Sequence, residues 1–316
     1  MRTSNRAQMT RTLVVALMIF VVACGDSQFA DVVASQQEII NGDVESADSS
    51  GLVQVGNICT GILQTPQWVI TARHCMISVG STVWMGSQHA TVDDVLNAPD
   101  GNDVAMLHLD AGLVMPAGAR HVQYIRGGGS DLIGKAVKCY GYGDNSALGG
   151  FGSLRSAYLE VSGTSGTFLI LKKNPFSQQL YYGDSGGACF YDYKGPEGMA
   201  VIGINNYIDT SGNSYIISAN STWGLWAYHV GSEIFNWKDY LARYDDLRKS
   251  GINTGDAAWQ HWKSHGITEC RQAHRSFNAV DFLRANPSVL AEFGWNCVKA
   301  TELYMLWGRR VGLPTK

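Results

Sequence analysis

Between residues 52 and 83, apolar side chains alternate with small or polar ones, and glycine-containing turns separate the alternating runs. A period of two is typical of strands with one buried face, and short runs at close intervals indicate antiparallel hairpins. Residues 104–109 are mostly apolar, and residues 136–142 form another strand-like run that leads into Gly143. We therefore predict a mainly β protein with strands arranged as small antiparallel barrels.

The pattern changes after residue 231, where Trp, Arg, Lys and Ala replace Gly and Val. Helical periodicity predicts an α-helical region over residues 232–316. Two segments within it repeat at an interval of 42, which favours paired helices stacked as two repeats. The matching pairs are Phe235 and Phe277, Asn236 and Asn278, Asp239 and Asp281, Tyr240 and Phe282, Leu241 and Leu283, Trp262 and Tyr304, and Gly266 and Gly308.

The chain begins with three arginines among its first eleven residues, followed by the apolar run 13–23. This pattern predicts a signal peptide over 1–23, since the run is short for a membrane span. The run ends Val-Val-Ala-Cys, which resembles a bacterial lipobox and predicts a lipid on Cys24. Ordinary cleavage that leaves an unmodified thiol is the alternative. Residues 24–38 are polar and predict a tether or propeptide, so we expect an exported protein, anchored to the cell envelope or extracellular.

Charge and cysteine count narrow the classes of partner. Seven cysteines become six once Cys24 is set aside, and an even number suits an oxidising compartment. The net charge is −3 and no basic run occurs, so nucleic acid is not an expected partner. His261 and His265 would share a helix face, but Trp262 stands where a zinc peptidase motif requires Glu. We expect no metal and no cofactor.

The clearest chemical motif is Gly183-Asp184-Ser185-Gly186-Gly187. A serine hydroxyl becomes a useful nucleophile beside a general base and beneath donors that hold an oxyanion, and the amides of Gly183 and Ser185 are suited to that role. The motif also fits the nucleophile turn of α/β-hydrolases. That architecture needs a histidine after the serine, such as His229, together with alternating strands and helices.

Three upstream motifs favour a different architecture. They are the runs 39–42 (Ile-Ile-Asn-Gly), 68–75 (Trp-Val-Ile-Thr-Ala-Arg-His-Cys) and 102–107 (Asn-Asp-Val-Ala-Met-Leu). With the serine motif they resemble, in order, the trypsin-like (chymotrypsin-fold) serine proteases over about residues 39–230. The resemblance implies a protease domain at 39–231 made of two six-stranded antiparallel β-barrels. It also implies a triad in which Ser185 attacks the peptide bond, His74 moves the proton and Asp103 orients His74.

The resemblance further implies activation by cleavage before Ile39. The new ammonium would pair with Asp184 and order the loop that carries Gly183 and Ser185. Glu38 stands at the residue before the cut, where tryptic activation requires a basic side chain. We therefore do not expect self-activation by tryptic cleavage.

Disulfides and the substrate pocket follow from the same resemblance. Cys59 pairs with Cys75 in the family. Two other cysteines are each displaced by two residues from the family positions, in opposite directions, which keeps them opposed in an antiparallel pair. They are Cys139 and Cys189, and Cys270 and Cys297 remain as a third pair. At the family's pocket positions stand Gln179 and Asn206, and a neutral Gln179 argues against specificity for Arg or Lys.

We therefore predict a serine endopeptidase with protein or peptide substrates, made as a zymogen. The alternative is a non-catalytic, protease-like surface protein that serves adhesion or binding. In either case the C-terminal repeats are candidates for contact with a protein or surface partner.

Overall fold

The computed structural model describes residues 39, 41–117, 119, 125–143, 152–194 and 198–315. The predicted signal peptide (1–23), the lipidation site Cys24 and the tether (24–38) lie outside the described residues.

Six antiparallel strands form the first barrel. A short strand β1 (Asp43–Val44) and helix α1 (Ala47–Ser50) precede it, and its strands are β2 (Leu52–Val55), β3 (Cys59–Thr65), β4 (Trp68–Ala72), β5 (Thr82–Met85), β6 (Gln88–Asn97) and β7 (Val104–Leu109). Their order is β2-β3-β4-β7-β6-β5, and β5 pairs with β2 to close the barrel.

Every residue of β3 and β4 is buried, on both faces of the strands. Successive side chains of a strand point to opposite faces. Leu63 and Val69 accordingly pack inside the first barrel, whereas their neighbours Ile62 and Ile70 join a second cluster. That cluster includes Tyr140 and residues of the C-terminal helices. The outer face of these strands is therefore covered by the second barrel and the helical region.

The second barrel also contains six antiparallel strands. They are β8 (Ala136–Gly141), β9 (Arg155–Ser165), β10 (Phe168–Lys172), β11 (Ala188–Asp192), β12 (Met199–Ile208) and β13 (Ser214–Ser218). The order is β9-β10-β13-β12-β11-β8, pairing of β8 with β9 closes the barrel, and β1 is added at β9. The prediction of two six-stranded antiparallel barrels is confirmed.

All three predicted disulfides are present, joining Cys59 to Cys75, Cys139 to Cys189 and Cys270 to Cys297. Cys139 and Cys189 lie directly opposite each other where β8 pairs with β11. The two displacements of two residues therefore compensate, as the antiparallel register requires.

A helical region follows the second barrel. Its helices are α2 (Thr222–Gly231), α3 (Trp237–Arg243), α4 (Asp245–Lys249), α5 (Gly255–His261), α6 (Ala279–Ala285), α7 (Pro287–Phe293), α8 (Cys297–Leu303) and α9 (Arg309–Val311). Both α5 and α8 continue into a π-helical turn, Trp262–Gly266 and Tyr304–Gly308. Within the described part of the chain, no helix is long and apolar enough to span a bilayer.

Four of these helices begin at a side chain that accepts hydrogen bonds from first-turn amides, which stabilises a helix start. The capping residues are Asn236 for α3, Thr254 for α5, Asn278 for α6 and Asn296 for α8. The second pair of caps lies 42 residues after the first, at the interval of the sequence repeat.

Aromatic contacts recur at the same interval. The ring of Phe235 lies 6.1 Å from those of Tyr240 and Trp262. Phe277 contacts Phe282 at 5.8 Å and Tyr304 at 4.5 Å, in the corresponding positions of the second segment. The residues that match in sequence therefore make matching contacts inside the helical region.

Candidate active site

Two neighbouring strands of the first barrel bring His74 and Asp103 together. Ala72 at the end of β4 lies opposite Val104 at the start of β7. His74 follows β4 in a 3-10 turn (Arg73–Cys75), and Asp103 immediately precedes β7. The Nδ1 atom of His74 lies 2.6 Å from Oδ2 of Asp103, and the His74 amide donates to Oδ1 at 2.7 Å. Two hydrogen bonds thus fix the imidazole, with Nε2 as the nitrogen available as a base.

A third group completes the surroundings of Asp103. The side-chain amide of Asn206, on β12, donates to Oδ2 of Asp103 at 2.6 Å. Burial alone would raise the pKa of Asp103, but the hydrogen bonds from His74 and Asn206 outweigh it and hold that pKa below its ordinary value. The carboxylate is therefore kept ionised beside the imidazole.

Ser185 lies in the loop between β10 and β11 and faces the same cleft as His74. Both residues line a cavity of about 370 Å³. The Ser185 hydroxyl donates to the backbone carbonyl of Asn206 at 3.3 Å. Asn206 thus contacts Asp103 through its side chain and Ser185 through its backbone.

The loop around Ser185 has the backbone geometry that its glycines allow. Gly183 and Gly186 have φ angles of +90° and +83°, a region that side chains strongly disfavour. A Cβ atom on Gly186 would also overlap the carbonyl oxygen of Thr60 and the hydroxyl of Thr71. The loop is therefore pressed closely against the first barrel.

Five successive amides of this loop differ in what they bind. Those of Asp184, Gly186 and Gly187 donate to the carbonyls of Tyr181, Asn205 and Asp184. Among the described residues, the amides of Gly183 and Ser185 donate no hydrogen bond. A pair of amides without internal partners beside a serine hydroxyl is the arrangement required to bind an oxyanion.

The comparisons agree with this arrangement. The sequence profile of the trypsin family matches residues 39–222, more than half of the 316-residue chain. The chain belongs to the trypsin family. Two relatives are an uncharacterized peptidase of Corynebacterium glutamicum strain R and a putative peptidase of strain ATCC 13032. Each is 28% identical over 213 residues, which cover 62% of this chain and 72% of the relative.

The trypsin-family match begins at Ile39, which is completely buried in the interior of the second barrel. The segment after it is held there, because Gln178 donates to the Asn41 carbonyl at 2.7 Å and Arg155 donates to the Gly42 carbonyl at 2.8 Å. Residues on the C-terminal side of the predicted cleavage point are thus docked on the barrel that carries Ser185.

Asp184 is 1% exposed, and both of its carboxylate oxygens accept backbone hydrogen bonds. Oδ1 accepts from the Gly143 amide at 3.0 Å and Oδ2 from the Tyr181 amide at 2.7 Å. A Cβ on Gly141 would overlap the Asp184 carboxylate, which explains why that residue of the run 141–143 is a glycine.

The two predicted pocket residues lie in different places. Asn206 lines the cavity beside Ser185, whereas Gln179 is not among its lining residues. Gln179 is buried, and its amide oxygen lies against Gly212 in the turn between β12 and β13. The neighbouring residue Leu180 lines the cavity instead. Position along the chain identified the segment but not which of its residues lines the cavity.

Sequence reasoning missed Thr60, a buried residue of β3. Its amide donates to the Ser185 carbonyl at 2.9 Å, and its hydroxyl donates to the Gly183 carbonyl at 2.9 Å. The same hydroxyl accepts from the Tyr142 amide at 2.8 Å. Thr60 therefore fastens both Gly183 and Ser185 to the first barrel, and no local motif marks it.

Asn205 was also missed. Its side-chain amide donates to the carbonyls of Tyr140 at 2.9 Å and Asp184 at 3.1 Å, inside the second barrel. It therefore supports the loop that carries Ser185 from the second barrel, whereas Thr60 supports it from the first.

The α/β-hydrolase alternative is wrong, because the fold consists of antiparallel barrels. His229, its candidate base, lies in α2 and lines a different cavity from Ser185. Among the described residues, no group of three or more His, Cys, Asp or Glu is placed to hold a metal ion.

Proposed function

We propose that this trypsin-family chain is a serine endopeptidase that works through Ser185, His74 and Asp103. The observation that carries the proposal is their joint geometry with the loop amides. A histidine held by a carboxylate and a serine beside two unoccupied amides face one cleft. Each part alone is common in proteins, but together they supply a base, a nucleophile and an oxyanion site.

In the reaction, the Ser185 hydroxyl leaves the Asn206 carbonyl and donates its proton to Nε2 of His74 as Oγ attacks the peptide carbonyl. Catalytic hydrogen bonds are often absent or long before substrate binds. The oxyanion of the tetrahedral intermediate accepts hydrogen bonds from the Gly183 and Ser185 amides, while Asp103 stabilises the imidazolium. His74 then donates its proton to the leaving amine, and water hydrolyses the acyl-enzyme by the reverse sequence.

The proposal includes activation by cleavage between Glu38 and Ile39. The buried position of Ile39 and the docking of Asn41 and Gly42 support it, because a new ammonium there would begin inside the second barrel. Its partner would be the buried carboxylate of Asp184, which is adjacent in sequence to Ser185. The ion pair would stabilise the loop that presents the two oxyanion amides.

Export and anchoring form a separate part of the proposal. The signal-like segment 1–23 and the lipobox-like residues before Cys24 support a lipoprotein held at the cell envelope, from which cleavage before Ile39 would release the protease. Mass spectrometry of the N-terminal peptide from membranes tests this. Acyl chains on Cys24 are expected, and an unmodified Cys24 would mean simple secretion.

We also propose that 232–316 consists of two copies of one helical unit that contacts a protein or surface partner. The equivalent caps and aromatic contacts at an interval of 42 residues support the two copies. Trp295 and Trp307, 57% and 50% exposed, support a binding role.

Hydrolysis of a protein substrate tests the catalytic proposal. The chain is assayed before and after cleavage at Glu38 by a glutamate-specific endopeptidase that is then removed. We expect hydrolysis by the processed chain, retention in Ser211→Ala, which alters an exposed serine, and loss in Ser185→Ala. Equal turnover by Ser185→Ala would overturn the assignment. A correctly folded, processed wild-type chain without turnover would favour the binding-protein alternative.

A further inference from the structure

The cavity beside Ser185 is bounded by two short segments that face each other. Leu180, Tyr181 and Tyr182 come from the segment that leads to the nucleophile, and Asn206, Tyr207 and Ile208 come from the end of β12. If Ser185 attacks a peptide carbonyl, the side chain of the residue that supplies this carbonyl enters between the two segments. The properties of these segments therefore decide after which amino acid the peptide substrate is cleaved.

Charge is nearly absent from this cavity. Asp184 is the sole Asp, Glu, Lys or Arg among the described residues that line it. Its side chain is 1% exposed, and its two oxygens accept hydrogen bonds from the amides of Gly143 and Tyr181. A charged substrate side chain would lose its hydration here without meeting an opposite charge, which is strongly unfavourable.

The apolar part of the cavity is held in place by β13. Ser214 on β13 is opposite Ile208 on β12, and the Ser214 hydroxyl accepts a hydrogen bond from the Leu180 amide at 3.1 Å. One fully buried serine therefore fixes both Leu180 and Ile208 at the cavity. The polar Gln179 side chain lies against Gly212, away from this surface.

We infer that the enzyme cleaves after an uncharged aliphatic residue, with its side chain packed against Leu180 and Ile208. The inference rests on the proposed endopeptidase function and adds its substrate class. Leu180, which is 3% exposed and belongs to the core of the second barrel, and the half-buried, β-branched Ile208 are the aliphatic residues that line the cavity. Glu38 is excluded from the same site by its charge, so cleavage before Ile39 requires a different endopeptidase.

The test compares peptides that differ at one position, with Ala, Val, Leu, Phe, Arg or Glu before the cleaved bond. We expect kcat/KM for the best aliphatic peptide to exceed that for Arg and Glu by about 100-fold or more, since each charge would be buried unpaired. Preferred cleavage after Arg, Glu or Phe would overturn the inference.

Two variants test the roles of the lining residues. Leu180→Asp should increase cleavage after Arg relative to Leu, whereas the uncharged Leu180→Asn should not. Ile208→Gly should raise kcat/KM for Phe relative to Val, because it removes a β-branched side chain from the lining of the cavity. Unchanged preferences in both variants would contradict the assignment.

Labelling of Ser185 by a small fluorophosphonate distinguishes failure of the proposed specificity from failure of the proposed endopeptidase function. A labelled wild-type enzyme that prefers charged residues retains the proposed function and overturns the specificity. A wild-type enzyme that is neither labelled nor active overturns the proposed function itself. For Leu180→Asp and Ile208→Gly, the concentration of active sites is first titrated with the fluorophosphonate in a separate sample. The kcat/KM values of the unlabelled enzyme are then referred to that concentration, so that misfolded protein does not enter the result.

Discussion

Thr60 connects the first barrel to the loop that carries Gly183 and Ser185. Its hydroxyl lies between the Gly183 carbonyl and the Tyr142 amide, and its amide binds the Ser185 carbonyl. The sequence could predict His74, Asp103 and Ser185, because each of them lies in a short motif of adjacent residues. Thr60 could not be predicted, because its contact with Gly183 spans 123 residues and its local sequence resembles that of any strand threonine.

Thr60→Val should lower kcat by about 10- to 100-fold, because it leaves the Tyr142 amide and the Gly183 carbonyl without their buried partner. KM should change much less, since the residue lies behind the oxyanion site and outside the lining of the cavity. Steady-state kinetics check this, with Thr60→Ser expected to retain most activity. Thr301→Val, which removes a buried hydroxyl from α8, serves as the matched control. Wild-type kcat in Thr60→Val would refute the positioning role.

Asn206→Ala removes the side-chain donor to Asp103, and hydrogen bonds to charged groups contribute about 1.5–3 kcal/mol. The Asn206 bond helps to lower the pKa of Asp103, so its loss should raise that pKa. Activity should then begin to fall at a higher pH on the acid side, with kcat reduced about 10-fold.

The pH–rate profile measures the effect of Asn206→Ala. Asn206→Ser, which restores a shorter donor, should recover part of the loss. Asn213→Ala removes a similar bond to Asp209 outside the cleft and should leave the profile unchanged. An acid limb that does not move in Asn206→Ala would contradict the role assigned to its side chain.

The elements were predictable to different degrees. The barrels followed from alternation and motif order, and the Cys139–Cys189 bond followed from the register of an antiparallel pair. The packing of the helices on the barrels was not predictable. Helical periodicity indicates which face of a helix is buried, but it does not indicate which element packs against that face. Helix α2 illustrates this point, since Trp223 and Trp226 belong to the cluster that also contains Ile62 of β3 and Phe235. His229 of α2 is enclosed within the same region.

His229 makes the stability of α2 dependent on pH. Burial lowers the pKa of His229 from 6.5 to about 4, and its Nδ1 atom has no hydrogen-bond partner among the described residues. The unfolded chain therefore binds a proton on this residue between pH 6.5 and 4, whereas the folded chain does not. The free energy of unfolding is retained above pH 6.5. It falls as the pH drops from 6.5 to 4, by about 3 kcal/mol in total.

Urea unfolding between pH 7 and 4 checks the contribution of His229. His229→Phe should lose about 3 kcal/mol less than the wild type over this range, because its ring does not titrate. His265→Gln, at an exposed position, should follow the wild type. Parallel curves for the wild type and His229→Phe would show that protonation of His229 does not drive the loss.

In the whole molecule, the segment that begins at Ile39 would link the proposed processing to the active site. The strand β1 pairs with β9 of the second barrel, and Glu45 next to it forms a 2.7 Å ion pair with Lys138. The motif at 39–42 and Asp184 give the residues of the proposed activation from the sequence alone. The sequence could not predict that the residues after Ile39 are held on the second barrel by so many contacts, because those contacts join segments that are distant along the chain.

The processed enzyme should lose activity at alkaline pH. An α-amino group has a pKa of about 8 in unfolded chains, and a buried carboxylate partner raises that pKa. The stabilisation is therefore complete below the unfolded pKa and disappears as the pH rises through the folded value. N-terminal sequencing shows whether the active protein begins at Ile39, and the pH–rate profile of the same sample shows whether its activity falls at alkaline pH. Full activity in a chain that still joins Glu38 to Ile39 would contradict the activation proposal.

The central claim is that Ser185 is a nucleophile activated by His74, and active-site labelling tests it most directly. The processed chain is treated with a fluorophosphonate, and the modified peptide is identified by mass spectrometry. We expect one label per molecule, on Ser185, and a labelling rate in folded His74→Ala that is lower by a factor on the order of 10⁴. A label on another residue, or labelling of His74→Ala at the wild-type rate, would contradict it.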